Sequence, residues 1–309
     1  MGRVAVAEDG RHVEHWSRGH PERPERVEAI RADLATRFPD LPRLPVDPVD
    51  DGPLLRVHSP WHLDRVAALC ISGGGHFDED TYATHWSDDA ARLSAGGTVS
   101  AVEAVVNGGF TGSFAVVRPP GHHATVDRAM GFCLYNNIAV AIEHARVVLG
   151  VTRAAVVDID VHHGNGTEAT YWNDADVLYT SLHQSPFYPG TGARADRGGA
   201  GAVDGIVNVP VPAGTGAQEW LALFDSVVMP ALARHAPELV VVSCGFDAHR
   251  DDPLAELNLD TETYGAVAER LCGLESPAAG RSAWVLEGGY DIDALVGGTA
   301  AVLRVLLDA

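Results

Sequence analysis

Short apolar runs alternate with longer amphipathic stretches along this chain, most regularly after Ala95. Five runs rich in β-branched residues predict strands that are buried on both faces, at 114–117, 154–159, 177–182, 239–243 and 284–286. Between them, apolar residues at helical spacing predict helices over 136–149, 217–234 and 261–274. Because strands that alternate with helices favour crossover connections, the pattern predicts an α/β fold with a mainly parallel sheet.

The first third of the chain has a weaker pattern. Helices are predicted over 24–34 and 60–70, and the polar, glycine-bearing stretch 73–89 predicts a long surface loop. That loop could border a functional site or contribute to a homo-oligomer, which the sequence leaves open. Since no linker-like segment and no internal repeat interrupts the chain, we expect a single domain over residues 1–309.

Charge and cysteine usage narrow the classes of partner and compartment. The 309 residues carry a formal net charge of -20 at pH 7, which argues against direct binding of nucleic acid or anionic membranes, because both need a Lys/Arg excess. The sequence has no apolar run long enough to span a bilayer and no signal-peptide core at its start. The cysteines lack metal-type spacing and are expected to be reduced thiols, so we expect a cytoplasmic protein.

Polar clusters follow all five predicted strands. They occupy residues 118–124, 162–167, 183–192, 246–253 and 288–291. In open parallel sheets, ligands bind outside the carboxyl ends of the strands. The five clusters are therefore predicted to converge on one pocket.

Asp158, Asp160 and His162 follow one of these strands at a spacing of two. In extended backbone such neighbours share a face with Cα atoms roughly 7 Å apart, so two of them can bind one ion. A catalytic zinc typically takes three protein ligands and leaves a position for water. Asp160 and His162 would supply two ligands, and Asp247 is the candidate for the third. Taken separately, the first motif could be a structural ion pair and Asp247 could cap a backbone turn.

Two further features suit proton transfer and charge stabilisation. His122 and His123 follow residues 119–121, a Pro-Pro-Gly run that breaks strand geometry and lets both rings turn inward. With no acid within two residues, this pair suits acid–base work better than metal binding, although an exposed or core histidine pair is the alternative. Tyr290 follows two glycines, and its hydroxyl could donate to a developing oxyanion or simply belong to a packed side chain.

Seven short strings resemble those of the zinc-dependent histone deacetylase family, which has the arginase/deacetylase fold. They are GHPERPERVEAI, RPPGHHA, MGFCLYNNIAVA, VVDIDVHHGNGTE, SLHQSPFYPGTG, VSCGFDAHRDDPL and LEGGYD, in family order across nearly the whole chain. The pattern is closest to class II-like bacterial histone deacetylases and acetylpolyamine amidohydrolases. The resemblance implies a single three-layer α/β/α domain and a hydrolase that acts on linear amide bonds.

The resemblance also implies residue roles. It implies metal ligands at Asp160, His162 and Asp247, active-site histidines at His122 and His123, an acid behind His122 at Asp158, and a carbonyl-polarising tyrosine at Tyr290. It implies a substrate tunnel lined by Gly131, Phe132, Tyr188 and Leu254, and a structural potassium ion bound through Asp158, Asp160, His162, Ser181 and Leu182.

Three positions depart from patterns found within the family. Asn165 stands where class I members carry an Asp behind the second histidine, so His123 should be less strongly held in its protonated form. Tyr188 stands where many lysine deacetylases have Phe, which leaves the acyl preference open. Leu254 stands where polyamine deacetylases of class IIb carry a gatekeeping Glu, which argues against that mode of polyamine recognition.

The hypothesis from the sequence is removal of an acetyl group from an acetyl-lysine side chain or a similar N-acetylated amine, by attack of a zinc-activated water. His123 would carry the proton, Tyr290 would hold the oxyanion, and His122 with Asp158 would tune the local charge. Fe²⁺ or Co²⁺ could replace Zn²⁺ in the same donor set.

Three alternatives remain open. An acetylpolyamine or other small-metabolite amidohydrolase would use the same residues. A binuclear manganese hydrolase of the arginase type is disfavoured, because Gly164 and His249 stand where further carboxylates would be needed. A non-catalytic binder of acylated ligands is disfavoured because binding alone needs no proton carrier.

Overall fold

The computed structural model describes residues 3–309 and is built around one large sheet. Its strands are β1 (Val4–Glu8), β2 (Arg43–Leu44), β5 (Gly112–Val116), β6 (Ala154–Asp158), β7 (Val177–Gln184), β8 (Ile206–Val211), β9 (Leu239–Cys244) and β10 (Ser282–Leu286), while β3 (Gly74–His76) and β4 (Tyr82–Thr84) form a separate antiparallel pair. The order in the large sheet is β2-β1-β5-β10-β9-β6-β7-β8. All neighbouring pairs in it are parallel.

Helices cover both faces of this sheet. They are α1 (Glu25–Arg37), α2 (Asp51–Leu54), α3 (Pro60–Ile71), α4 (Ser87–Val106), α5 (Asn137–Val148), α6 (Asn165–Tyr171), α7 (Ala217–Leu223), α8 (Met229–His235), α9 (Thr261–Cys272) and α10 (Ile292–Asp308). Residues of α1 and α7–α10 share one hydrophobic cluster, and residues of α2–α6 share the other. None of the helices between residues 3 and 309 combines the length and apolarity needed to cross a membrane.

The strands separate these two clusters by simple alternation. In β6, Ala155 and Val157 belong to the cluster with α10, whereas Ala154 and Val156 belong to the cluster with α4. Successive side chains of a strand point to opposite faces, so a strand buried on both faces must be apolar at every position. This explains why the central strands have continuous apolar sequences and why the mainly parallel α/β prediction is confirmed.

All five predicted strands are present, with ends shifted by up to about two residues. Two other predictions were wrong in detail. The stretch 73–89 is not one long loop, because it holds β3 and β4 and the first turn of α4. The helix predicted over 217–234 is divided by a π-helical segment, Phe224–Val228, between α7 and α8.

The longest helix, α4, was not predicted from the sequence. It is rich in Ala, Ser and Gly and has few large apolar side chains, so its helical periodicity is weak. Its small residues instead let neighbouring backbone approach the helix closely. A Cβ placed on Gly96, for example, would overlap the backbone oxygen of Asp47. The strands β1 and β8 and the helix α10 were also outside the predicted set.

A buried ion pair ties the N-terminal segment to the end of β5. The Arg118 guanidinium donates to both Glu22 oxygens, over 2.7 Å from Nε and 2.6 Å from Nη2. Arg26 also donates to Glu22, over 3.2 Å, and all three side chains are fully buried. Burial alone would raise the pKa of Glu22, but the Arg118 charge outweighs it and lowers that pKa to about 2.

Glu22→Gln is expected to lower the free energy of unfolding by about 3–5 kcal/mol, because it leaves two buried guanidinium groups without their carboxylate. The Glu22 pKa lies below its ordinary value of 4.5, so the stabilisation is fully present above about pH 4.5 and is lost as the pH falls through about 2. Urea unfolding at several pH values would show a constant difference between wild type and variant above that window and a narrowing one within it.

Asp225→Asn is the matched control, because Asp225 pairs with Arg270 at the surface, and exposed pairs contribute about 0–1 kcal/mol. Equal losses in the two variants would contradict the importance of the buried pair.

Candidate active site

A pocket of about 380 Å³ opens at the carboxyl ends of the strands. Its lining includes Pro120, His122, His123, Gly131 and Phe132 after β5, Asp160 and His162 after β6, Tyr188 after β7, Leu254 after β9, and Gly288 and Tyr290 after β10. The convergence predicted for five loops is therefore confirmed. Four other lining residues had no individual role in the sequence analysis. They are His20 and Pro21, in the string GHPERPERVEAI, and Glu79 and Asp80, in the stretch 73–89 that could border a functional site.

Asp160 and His162, which line this pocket, meet Asp247, which is fully buried beside them. One ligand atom from each lies within 4.8 Å of the others, and no other such cluster of metal-binding side chains exists among the residues that the structure describes. Nδ1 of His162 is 3.0 Å from Oδ1 of Asp160 and 3.2 Å from Oδ2 of Asp247. Both carboxylates are fully buried.

The state of Asp247 shows that these three residues fit a cation. Its Oδ1 accepts a hydrogen bond from the Val161 amide over 3.0 Å, so this side does cap backbone as the alternative interpretation proposed. Its Oδ2 is buried and receives no well-directed hydrogen bond, although Nδ1 of His162 lies 3.2 Å from it. A buried carboxylate oxygen without a donor is costly unless a cation faces it, and a mixed carboxylate and imidazole set suits zinc and similar divalent metals.

Charge around His162 supports the same conclusion. Burial lowers the pKa of His162, but the Asp160 and Asp247 carboxylates outweigh that effect and raise it to about 10. The two carboxylates thus favour positive charge at this point, which either a proton on the ring or a metal ion bound to the neutral ring supplies. Gly288 lets the β10 loop approach, because a Cβ there would overlap Oδ2 of Asp247, and its amide donates to Asp160 over 2.8 Å.

The tandem histidines lie side by side, with ring centroids 4.0 Å apart, but in different electrostatic settings. His122 pairs through Nδ1 with Oδ2 of Asp158 at 3.0 Å. Burial lowers the pKa of His122, but Asp160 and Asp158 outweigh it and raise that pKa to about 10. His123 instead pairs through Nδ1 with Oδ1 of Asn165 at 2.8 Å, and burial beside the charged His122 lowers its pKa well below the ordinary value. One ring is therefore cationic and the other neutral at pH 7.

Aromatic side chains form the walls above the histidines. The Tyr188 ring meets His123 edge-on at 5.2 Å between centroids, and Phe132 meets Tyr290 edge-on at 5.9 Å. Gly131 has a φ of 55° and no room for a side chain, since a Cβ would overlap the His123 ring. Phe132 itself has a φ of 68°, a strained conformation that occurs preferentially at functional sites. Leu254 lies at the mouth and is 36% exposed.

Tyr290 presents a protonated phenol to the same pocket. Its side chain is mostly buried, and the Arg26 guanidinium lies over its ring at 5.0 Å from the centroid. Burial raises the pKa of Tyr290 well above its ordinary value, so the hydroxyl stays a donor at neutral pH. Arg26 also donates to the backbone oxygens of Glu287 and Gly289, which fixes the loop that carries Tyr290.

The remaining predicted residues lie close to the site but outside the pocket. Ser181 and Leu182 are buried on β7, and Ser181 is the register partner of Asp158 on β6. A potassium site there stays a prediction. His163, the neighbour of His162, is buried and hydrogen-bonded to Thr191 at 2.7 Å and to Glu168 at 3.1 Å, which is a structural role.

Several residues of the site were missed by the sequence analysis. Phe187 stacks on His162 at 5.1 Å, and His20 meets Phe132 edge-on at 4.6 Å. Glu287 accepts hydrogen bonds from the amides of Gly121 over 2.6 Å and His122 over 3.2 Å. All three lie inside the strings SPFYPG, GHPERP and LEGGYD, but residue type alone does not show which of their neighbours they contact.

Comparison with known proteins gives consistent matches. A model of the histone deacetylase domain matches residues 20–306. A protein of Methanothermobacter thermautotrophicus named "Probable deacetylase" is 43% identical over 82% of this chain and 75% of its own length. The "Histone deacetylase-like amidohydrolase" of Pseudomonas aeruginosa is 44% identical over 78% of this chain, which spans 64% of that protein. The crystal structure of the HDA15 HD domain matches with a TM-score of 0.95 and 38% identity, over 100% of this chain and 90% of that one.

The geometry predicts one divalent metal per chain. Asp247→Ala removes a ligand, and it should weaken metal binding by more than about 100-fold, since loss of a group that only supports a ligand costs about 10–100-fold. Metal content after dialysis, measured by mass spectrometry, checks this. Asp251→Ala is the control, because Asp251 is close in sequence but its side chain is 68% exposed, and it should retain the metal. Full retention by Asp247→Ala would contradict the assignment, and two metals per chain would favour the arginase-like alternative.

Proposed function

This chain belongs to the histone deacetylase family, and on that premise we propose that it removes the acetyl group from an N-acetylated primary amine, preferentially an acetyl-lysine side chain. The proposal is carried by one observation: a neutral imidazole, a protonated phenol and a carboxylate–imidazole metal site face the same pocket. Binding alone would need neither the imidazole nor the phenol in those states.

The metal site would be held by Asp160, His162 and Asp247. A divalent ion there, which we propose to be Zn²⁺, would supply a Lewis acid that polarises the amide carbonyl and makes water more acidic. The donor set suits Zn²⁺, and it also suits Fe²⁺ and Co²⁺.

His123 is the proposed proton carrier. A general base must be neutral before it accepts a proton, and burial beside His122 keeps the His123 pKa low. Its Nδ1 is occupied by Asn165, so the other ring nitrogen, Nε2, is left for the reacting water. We propose that His123 takes the proton as water attacks and delivers it to the amine as the C–N bond breaks, which releases acetate.

His122 and Tyr290 have supporting electrostatic roles in this proposal. The His122 cation, held by Asp158, offsets negative charge that develops beside it and favours neutral His123 before reaction. The Tyr290 hydroxyl donates a hydrogen bond to the oxyanion formed from the carbonyl. The rings of Phe132 and Tyr188, which both line the pocket, would pack against the apolar chain of a lysine-like amine.

An acetylpolyamine is the second candidate substrate. Glu79 and Asp80 line the pocket and would attract a distal ammonium group. Leu254 at the mouth offers no carboxylate to such a group, and this favours a lysine side chain.

His123→Ala should lower kcat by at least about 10²-fold, because general acid–base catalysis supplies about 10²- to 10⁴-fold. Acetate release from an acetyl-lysine peptide measures this, on protein with a verified metal content. His76→Ala is a matched control, because His76 is an exposed histidine of β3. A loss below about threefold with the metal retained would remove His123 from the mechanism.

Tyr290→Phe should lower kcat by about 10²- to 10³-fold with little change in KM, because it removes a donor that acts on the oxyanion. The same assay with varied substrate concentration separates the two constants. A raised KM with an unchanged kcat would instead make Tyr290 a substrate-binding residue.

A panel of acetyl-lysine peptides, acetylputrescine and acetylspermidine tests the substrate class. We expect kcat/KM for the peptides to exceed that for the polyamines by more than about tenfold, which corresponds to 1.4 kcal/mol. The opposite order would favour the acetylpolyamine alternative while leaving the chemistry intact.

A further inference from the structure

The carboxylate of Asp252 joins two loops of the active site. It is 6% exposed and lies between the loop that follows β9 and the loop that follows β10. Its Oδ1 accepts a hydrogen bond from the amide of Leu254 over 2.9 Å. Its Oδ2 accepts from the amide of Tyr290 over 2.7 Å and from that of Asp291 over 3.3 Å.

The residues held by this carboxylate both face the pocket, although Asp252 does not line it. Leu254 lies at the pocket mouth, and Tyr290 carries the phenol. The loop after β9 also carries Asp247, five positions before Asp252 in the sequence. A single buried side chain thus links the metal-ligand loop to the backbone from which the phenol projects.

We propose that Asp252 is a positioning residue that sets the location of the Tyr290 hydroxyl in the pocket. The proposal rests on the oxyanion role proposed above for Tyr290. The ring meets Phe132 edge-on and Arg26 through a cation–π contact, and both kinds of contact tolerate sliding along the ring plane. Hydrogen bonds are directional, so the hydrogen bond that the backbone N–H of Tyr290 donates to Asp252 restricts that movement.

A carboxylate is required at this position because both of its oxygens accept hydrogen bonds from backbone amides. An asparagine has only one accepting oxygen. Its NH₂ group, which can only donate, would face the N–H of either Leu254 or Tyr290, and that hydrogen bond would be lost. Asp252→Asn therefore releases one of the two loops at nearly constant volume.

The test is a double-mutant cycle with Tyr290. Asp252→Asn should lower kcat by about 10²-fold, as expected for a displacement of roughly 1 Å at a reacting group, while KM changes by less than about threefold. In the Tyr290→Phe background the same change should lower kcat by less than about threefold, because the group that it positions is already gone. Equal fold losses in both backgrounds would overturn the proposal and make Asp252 a general structural residue.

Asp174→Asn is the matched control. Asp174 also accepts through both oxygens, from the amide of Asp176 over 2.9 Å and from Arg146 over 2.6 Å, but it lies just before β7, at the opposite end of the strands from the active-site loops. It should change stability without changing kcat. If Asp252→Asn fails to fold, Asp252→Glu keeps the charge and both acceptors and enters the same cycle.

A second readout does not depend on turnover. In protein labelled with 3-fluorotyrosine, Tyr290→Phe assigns the Tyr290 ¹⁹F resonance among the seven tyrosines. Asp252→Asn should shift or broaden that resonance, and Asp174→Asn should leave it unchanged. An unchanged Tyr290 resonance in Asp252→Asn would overturn the proposal. An inactive wild type with a shifted resonance would overturn the proposed function and leave the positioning role supported.

Discussion

The concentration of buried negative charge at one edge of the sheet is the constraint on which the rest of the site depends. Asp158, Asp160, Asp247 and Glu287 are all fully buried at the carboxyl ends of β6, β9 and β10. Burial of unpaired carboxylates is unfavourable, so each needs a cation or several hydrogen-bond donors. The loops supply both: two imidazoles, the amides of Val161, Gly121 and Gly288, and a position for a metal beside Asp247. The groups that compensate the buried charge are therefore also the groups that we propose to act in the reaction or to hold its metal.

This constraint explains why the two tandem histidines have unequal states although they are neighbours in sequence. His122 is flanked by acids that follow two strands, Asp158 and Asp160 at the end of β6 and Glu287 after β10, and these favour its charged form. The charge of His122 and the burial of His123 both lower the pKa of His123. The side-chain amide of Asn165 accepts a hydrogen bond from the His123 ring without adding a negative charge. A difference in charge between adjacent rings is what an acid–base step needs, since one ring must be free to accept a proton while the other offsets negative charge.

The sequence predicted the parts of the site that depend on local pattern. Asp160 and His162 were predicted by their period-two spacing at a strand end, and Asp247 by an acid just after another apolar strand. The Glu22–Arg118 pair could not be predicted in this way, because its members are 96 residues apart and nothing local shows that either is buried. Glu287 and Asp252 act through backbone amides, which carry no mark in the sequence. The helix α4 was missed for a related reason, since its small residues pack by close approach and weaken the apolar pattern.

The central claim is that one cation, held by Asp160, His162 and Asp247, completes a site that cleaves N-acetyl amides. Its most direct test is a titration of Zn²⁺ into chelator-treated protein, with acetate release from an acetyl-lysine peptide as the readout. Activity should be absent at the start, rise linearly with added Zn²⁺ and reach a plateau at one equivalent. Full activity in the chelated protein, or a plateau only at two equivalents, would contradict the account.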